Sequence, residues 1–163
     1  MNIEAVPQIE ADVPSAHRRA LAESEPVAVP IRVFADDRGW SLMNQLQGVM
    51  SGDGQINYSV TYPGVIKAWH RHALQTDFWI CLTGHLKAGI HRDDGRTWRT
   101  ILGDRRPAVL IIPPTLWHGA ATVGHEPAGL LYYVTRAYNP QQPDEERRGF
   151  DSIAGFTWSV EHK

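Results

Sequence analysis

Gly64 to Gly84, read GVIKAWHRHALQTDFWICLTG, sets His70 and His72 two residues apart, Asp77 five further on, and Gly84 after six mostly apolar residues: G-x5-H-x-H-x4-D-x6-G. On a β-strand residues i and i+2 share a face. His70 and His72 are therefore expected to project together, alongside Ile66 and Ala68 and away from Lys67, Trp69 and Arg71. A short turn through Ala73 to Thr76 would return the chain antiparallel and bring the Asp77 carboxylate near the same point, and His118 could arrive from a separate strand. Three imidazoles and one carboxylate suit a single divalent metal ion, Zn, Fe, Ni, Cu or Mn, and the sequence does not choose among them. The competing reading is that these histidines only bind substrate or hydrogen-bond within a polar pocket.

The 163 residues make one domain by length, large enough for a real core. A net charge of -2, with no basic cluster beyond the pairs Arg105-Arg106 and Arg147-Arg148, gives no field suited to nucleic acid or an anionic membrane. The single Cys81 lies among Trp79, Ile80 and Leu82 and reads as a buried small hydrophobe in a reducing compartment. With acids near the start, no apolar leader core and no membrane-spanning run, the expected location is the cytoplasm.

Residues 1–27 hold Pro7, Pro14 and Pro26 with many charges and read as an N-terminal arm, with a short helix around Ser15 to Glu23 that Ser15 could cap. Residues 28–163 form the second region. Ile31 to Phe34 alternates like a short strand before a turn at Ala35 to Gly39. Gln55 to Thr61 alternates cleanly, with Gln55, Asn57, Ser59 and Thr61 on one face; that polar face is either an ordinary solvent face or the lining of a cavity. Asp93-Asp94-Gly95 is a hairpin signal, Ala108 to Ile112 a buried strand stopped by Pro113-Pro114, Leu130 to Thr135 another with Tyr132 and Tyr133 on opposite faces, and Phe156 to Val160 a closing strand. Many short strands with Gly, Pro and Asp turns, and no long amphipathic helix, predict an all-β fold, best a jelly-roll barrel.

The central stretch, with Pro113 to His118 downstream, resembles the two cupin motifs, with Asp77 where that superfamily more often has Glu. The likeness narrows to the dTDP-4-dehydrorhamnose 3,5-epimerase family over roughly residues 30–158. Phe34 to Gly39 is similar to its F-x-D-x-R-G, Gln55 to Ser59 to its Q-x-N-x-S, and Gly64 to His70 to its G-V-x-R-G-L-H. Ile112 to Gly119 resembles its I-P-x-x-x-x-H-G, and Leu131 to Tyr138 its L-Y-x-x-T-x-x-Y. The resemblance implies a cupin-type jelly-roll barrel with an N-terminal arm, and catalytic roles for three residues. His70 would be the base that removes a proton next to a sugar ketone, Asp151 the carboxylate orienting it, and Tyr132 the acid on the opposite face of the ring. Arg38, Gln55, Asn57, Lys67, His118 and Tyr138 would contact the sugar or diphosphate of a nucleotide sugar, in a homodimer without a cofactor. Three positions depart from the pattern: His72 stands where Gln is usual, Asp77 where a Lys helps hold the developing oxyanion, and Lys67 where Arg precedes the base. An Asp cannot stabilise an oxyanion directly, but a metal held by His70, His72, Asp77 and His118 could do so as a Lewis acid. His70 cannot be both ligand and free base through one nitrogen.

The leading expectation is thus an isomerase, a carbohydrate epimerase acting next to the ketone of a nucleotide-linked 4-keto-6-deoxysugar or similar carbonyl compound. The alternatives are a metal-dependent cupin oxygenase, lyase or cyclase of small-molecule metabolism, and a non-catalytic sugar-binding cupin.

Overall fold

The computed structural model describes residues 2–160. Met1 and residues 161–163, the outermost residues of the expected arm and barrel region, lie outside them. In chain order the elements are β1 (Ile3–Ala5), α1 (Val13–Glu23), β2 (Val27–Pro30), β3 (Val33–Asp36), β4 (Gly39–Leu42), β5 (Gln55–Thr61), β6 (Ile66–Arg71), β7 (Asp77–Thr83), β8 (His85–His91), β9 (Thr97–Gly103), β10 (Ala108–Ile112), β11 (Trp117–Thr122), β12 (Ala128–Val134) and β13 (Glu146–Arg147). They form a six-stranded sheet ordered β1-β9-β8-β11-β6-β13, a five-stranded sheet ordered β2-β10-β7-β12-β5, and the two-stranded hairpin β3-β4. The fold is all-β and of the jelly-roll type.

The residue patterns explain the layering. Leu110 and Ile112 of β10, with Trp79 and Cys81 of β7, meet Leu86, Ile90, Trp98 and Leu102 of the other sheet in the central core. Their neighbours Val109, Ile111, Phe78 and Ile80 face the opposite way and are covered by Ala16 and Ala20 of α1 and by Leu46. A strand buried on both faces must be apolar throughout, which is why β10 does not alternate. Each fully buried aliphatic side chain of this kind contributes about 1.5–3 kcal/mol. Ala16 and Ala20, four apart, share the helix face on the sheet.

Several details differ from expectation. Helix α1 begins at Val13 and is capped by Asp12, whose carboxylate accepts the Ser15 N–H at 2.7 Å; Ser15 lies inside the first turn and its hydroxyl donates to the same carboxylate. A carboxylate at that position satisfies an orphan amide that the later Ser15 cannot reach. Upstream of the helix, β1 pairs in parallel with β9. Phe156 to Val160 forms no strand. Its carbonyls are met by a side chain instead, the buried Lys87 Nζ donating to Ser159 O at 2.6 Å and Thr157 O at 3.3 Å. Phe156 meets Trp69 edge-to-face at 5.0 Å and Trp158 meets it tilted at 4.9 Å, and together they close the outer face of the six-stranded sheet with Trp117 and Ile153.

Candidate functional site

Strands β6, β7 and β11 aim the expected histidines and carboxylate at one point. His118 pairs with His70 across the β6-β11 ladder, and Trp69 and Trp117, one residue before each, turn to the opposite, aromatic-covered face. Asp77 opens β7 in the other sheet, on the same side as Trp79. One donor atom each from His70, His72, Asp77 and His118 lies within 4.8 Å of the others, Asp77 and His118 buried, His70 and His72 half-buried. The ring centres of His70 and His118 are 4.2 Å apart, and those of His70 and His72 5.4 Å.

The contacts around this cluster are specific. His72 Nδ1 contacts the Asp144 carbonyl, and His118 Nδ1 contacts the Leu116 carbonyl at 2.8 Å. A carbonyl only accepts, so both Nδ1 atoms carry the proton. The Asp77 carboxylate accepts from Gln75 Nε2 at 2.9 Å and from the Trp79 indole N–H at 3.1 Å, and lies 3.6 Å from His118 Nε2. Burial pushes the Asp77 pKa up, but the neighbouring imidazoles of His118 and His72 and the Gln75 hydrogen bond outweigh it and bring the value down to about 2. Burial first, then the His118 charge, brings His70 down to about 2 despite the opposing pull of Asp77, so this imidazole is neutral across the ordinary pH range. Tyr132 has its pKa raised by burial, then by the Asp77 and Glu145 charges, and stays a phenol able to donate a proton.

Above the cluster opens a cleft of about 1420 Å³, lined by Gln55, Asn57, His72, Gln75, Tyr132, Tyr138 and the segment 134–147, among others. It decides the two readings of β5: Gln55 and Asn57 face the cleft, joined by a 2.5 Å hydrogen bond, while Ile56, Tyr58 and Val60 face outward and are exposed. Tyr138 lies on the rim, its N–H donating to Gln55 Oε1 at 3.2 Å.

The remaining expected residues lie elsewhere. Arg38 sits at the tip of the β3-β4 hairpin with its side chain 85% exposed, paired with Asp36. Lys67 is exposed, its Nζ reaching the Val60 carbonyl at 3.4 Å, and it does not line the cleft. Asp151 lies on an exposed turn after Phe150, whose carbonyl accepts from Trp69, on the side of β6 away from His70; no contact joins it to that imidazole among the described residues. Gln75, Arg136, Asp144 and Arg147 are cleft residues that the sequence reading did not select. Gln75 was discoverable, standing two before Asp77 on the same strand parity. Arg136, Asp144 and Arg147 lie in or beside a segment with no periodicity, where nothing signals which side chain turns inward.

No protein-family model matches the chain. It is 37% identical over 138 residues to the spore coat polysaccharide biosynthesis protein SpsL of Bacillus subtilis, covering 79% of this chain and 91% of that protein. It is 38% identical over 112 residues to the probable low-salt glycan biosynthesis epimerase Agl13 of Haloferax volcanii, covering 64% of this chain and 72% of that one. A dTDP sugar isomerase from Desulfovibrio desulfuricans superposes with a TM-score of 0.72 at 25% identity, over 82% of this chain and 90% of that structure. The chain belongs to the dTDP-sugar epimerase family of cupins. Among solved structures of this fold, the dTDP-6-deoxy-D-glucose-3,5-epimerase RmlC from Legionella pneumophila, in complex with dTDP-4-keto-L-rhamnose, matches with a TM-score of 0.69 at 19% identity, over 85% of this chain and 80% of that one. The dTDP-sugar epimerase fold thus supplies the barrel, and the protein is an enzyme of the isomerase type, a nucleotide-sugar epimerase of carbohydrate biosynthesis. No helix among the described residues is long and apolar enough to cross a membrane.

Proposed function

We propose that this epimerase inverts a carbon next to the ketone of a nucleotide-linked 4-keto-6-deoxysugar, with His70 removing the α-proton and Tyr132 returning one to the opposite face. The observation that carries this reading is geometric: His70 clusters with His72, and His72 and Tyr132 line one cleft. Inversion needs a base on one face, an acid on the other, and a polar site for the enolate oxygen between them. Gln55, Asn57 and Tyr138 are suited to the sugar and base portions, and Arg136 and Arg147 bring positive charge for the diphosphate. His118 serves inside the cluster rather than on the cleft wall, and Asp151 has no role at His70.

The cleft of one chain also carries Asp53, Asp144 and Glu145, and Glu145 already pairs with Arg147 at 2.8 Å, so its positive charge is incomplete for a diphosphate. A homodimer supplies the remainder. Exposed Phe34 and Trp40 on the hairpin that carries Arg38, and Ile56, Tyr58 and Val60 on the open edge strand β5, are the surfaces a second copy would cover. A single buried cysteine suits the cytoplasm. The test is incubation with dTDP-4-keto-6-deoxyglucose in D2O: His70→Asn should lose ring-proton exchange at least 100-fold while melting like the native protein. Exchange retained in that variant would remove His70 as the base.

A further inference from the structure

We infer that Arg147 is a further catalytic residue, its guanidinium standing beside His70 to receive the ketone oxygen as that oxygen gains negative charge. The inference rests on the epimerase reading and sharpens it, since part of the positive charge given above to the cleft goes to the ketone instead of the diphosphate. Strand register places the side chain. β13 pairs antiparallel with β6, and Arg147 lies directly across from His70. One step along, Trp69 and Arg148 exchange both backbone hydrogen bonds, at 3.1 and 2.9 Å. Hydrogen-bonded and non-hydrogen-bonded pairs alternate along an antiparallel ladder, so Arg147 and His70 form a non-hydrogen-bonded pair. Side chains in such a pair share one face, with Cβ atoms about 4.5–5.5 Å apart.

The neighbours of Arg147 are pinned to the opposite face. The guanidinium carbon of Arg148 lies 3.8 Å from the centre of the Trp117 ring, and that of Arg71 4.4 Å. Asp93 accepts the Trp117 indole N–H at 2.9 Å and Arg71 Nη1 at 2.6 Å, and Glu146 accepts Arg71 Nη2 at 2.9 Å. With Glu146 and Arg148 held there, strand alternation turns Arg147 toward the cleft, which it lines. Upstream, the Asp144 carboxylate accepts the Ala73 and Leu74 N–H groups at 2.8 and 2.9 Å. Arg147 therefore rides on a segment anchored on both sides, although its own side chain is 77% exposed.

The chemistry needs a cation at this place. As His70 takes the proton next to the ketone, the C–H electron pair moves onto the ketone oxygen. When Tyr132 donates to the other face the pair returns to carbon, and solvent restores the protons of both side chains. A donor aimed at that oxygen is the main source of rate in such a step. The floor of the cleft is ill suited to it: the buried Asp77 carboxylate is an anion, and the Gln75 amide and Trp79 indole already donate to it. Two arginines line the cleft, and while Arg136 follows β12 in the opposite sheet, Arg147 stands on the strand beside the base. Among the described residues Glu145 meets Arg147 only at Nη2, at 2.8 and 3.1 Å, which leaves Nε and Nη1 to donate. An exposed ion pair of this kind is weak enough for a ligand oxygen to share. The electrostatics agree: burial and then the His118 charge lower the His70 pKa and Arg147 adds to them, while burial and then Asp77 raise that of Tyr132 and Glu145 adds to them. The Arg147–Glu145 pair thus spans the gap between base and acid.

Deuterium exchange into dTDP-4-keto-6-deoxyglucose, with the affinity for dTDP measured on the same preparations, tests this role, because dTDP carries the diphosphate and no ketone. Arg147→Gln should lower exchange at saturating substrate on the order of 100- to 1,000-fold, leave the dTDP Kd within about twofold of native, and melt like the native protein. Arg147→Lys, which keeps the charge without the planar fork, should recover part of the loss. Native exchange in Arg147→Gln would overturn the proposal. So would a dTDP Kd raised by about tenfold or more with exchange restored at saturation, since the side chain then serves the diphosphate. A native protein that exchanges no proton of any nucleotide keto-sugar would remove the epimerase reading itself, and this role with it.

Discussion

Gly119→Ala tests how tightly the two histidine strands are held together. Gly119 lies between His118 and Ala120, where the β11-β6 register shifts. A Cβ at this position would stand 2.3 Å from the Ala68 Cβ and 2.7 Å from both the Ala68 Cα and the Lys67 carbonyl oxygen. Carbon atoms settle at about 3.5–4.0 Å, so the shortfall at the Ala68 Cβ is about 1.2–1.7 Å. None of the three obstructing atoms can swing away by a rotamer change. The strand carrying His70 must therefore move off β11 by an ångström or so. Overpacking of this kind costs about 1–3 kcal/mol, and for a chain of this size each kcal/mol lowers the Tm by about 2–4 °C. A misplacement of about 1 Å can reduce the rate on the order of 100-fold. Thermal unfolding and deuterium wash-in, measured on the same preparation, should therefore show a Tm lowered by about 2–12 °C and exchange far below native. Gly52→Ala, where a Cβ meets nothing within 4 Å and φ is not positive, should leave the Tm in place. Native Tm and native exchange in Gly119→Ala would refute the claim that close strand contact positions the site.

Tyr132→Phe should keep deuterium exchange at the substrate carbon while epimerised product falls about 100- to 10,000-fold, since only the acid is lost; NMR of substrate and product separates the two. Lys87→Met removes the donor to the Thr157 and Ser159 carbonyls and should cost about 1–3 kcal/mol, with faster proteolysis around residues 150–160 as the sign that the C-terminal segment has come loose. Asp144→Ala removes the acceptor of the Ala73 and Leu74 N–H groups and should raise KM more than it lowers kcat, as the cleft wall that holds His72 relaxes. Burial lowers the pKa of His17 and His91 below the ordinary value. The unfolded chain then binds more protons than the folded one below about pH 6.5, so stability must fall on acidification, by at most about 1.4 kcal/mol per pH unit for each ring. His17→Gln should flatten the decline in Tm between pH 7 and 5.

Much of the barrel was legible because its strands obey simple burial rules. β10 reads as an unbroken apolar run because one face meets the core and the other meets α1, and Tyr132 and Tyr133 separate into cleft and core as adjacent strand residues must. The convergence of His70, His72, Asp77 and His118 was also readable, because three strand positions and one turn fix it. Other features depend on partners distant in sequence. The parallel pairing of β1 cannot be read from three residues, and Phe156 to Val160 looks like a strand until Lys87 is known to take its carbonyls. Segment 139–148 lacks periodicity, yet it carries the Asp144 carbonyl that orients His72 and the short strand β13 beside β6. Arg38 and Asp151 match a family pattern in sequence, but an exposed hairpin tip and an exposed turn put both away from the cluster of their own chain.

The most direct test of the account is proton NMR of dTDP-4-keto-6-deoxyglucose with the protein in D2O. Loss of the ring-proton signal next to the ketone, followed by growth of the epimer, is the predicted result. An unchanged ring-proton signal at enzyme concentrations that bind the nucleotide sugar would contradict it.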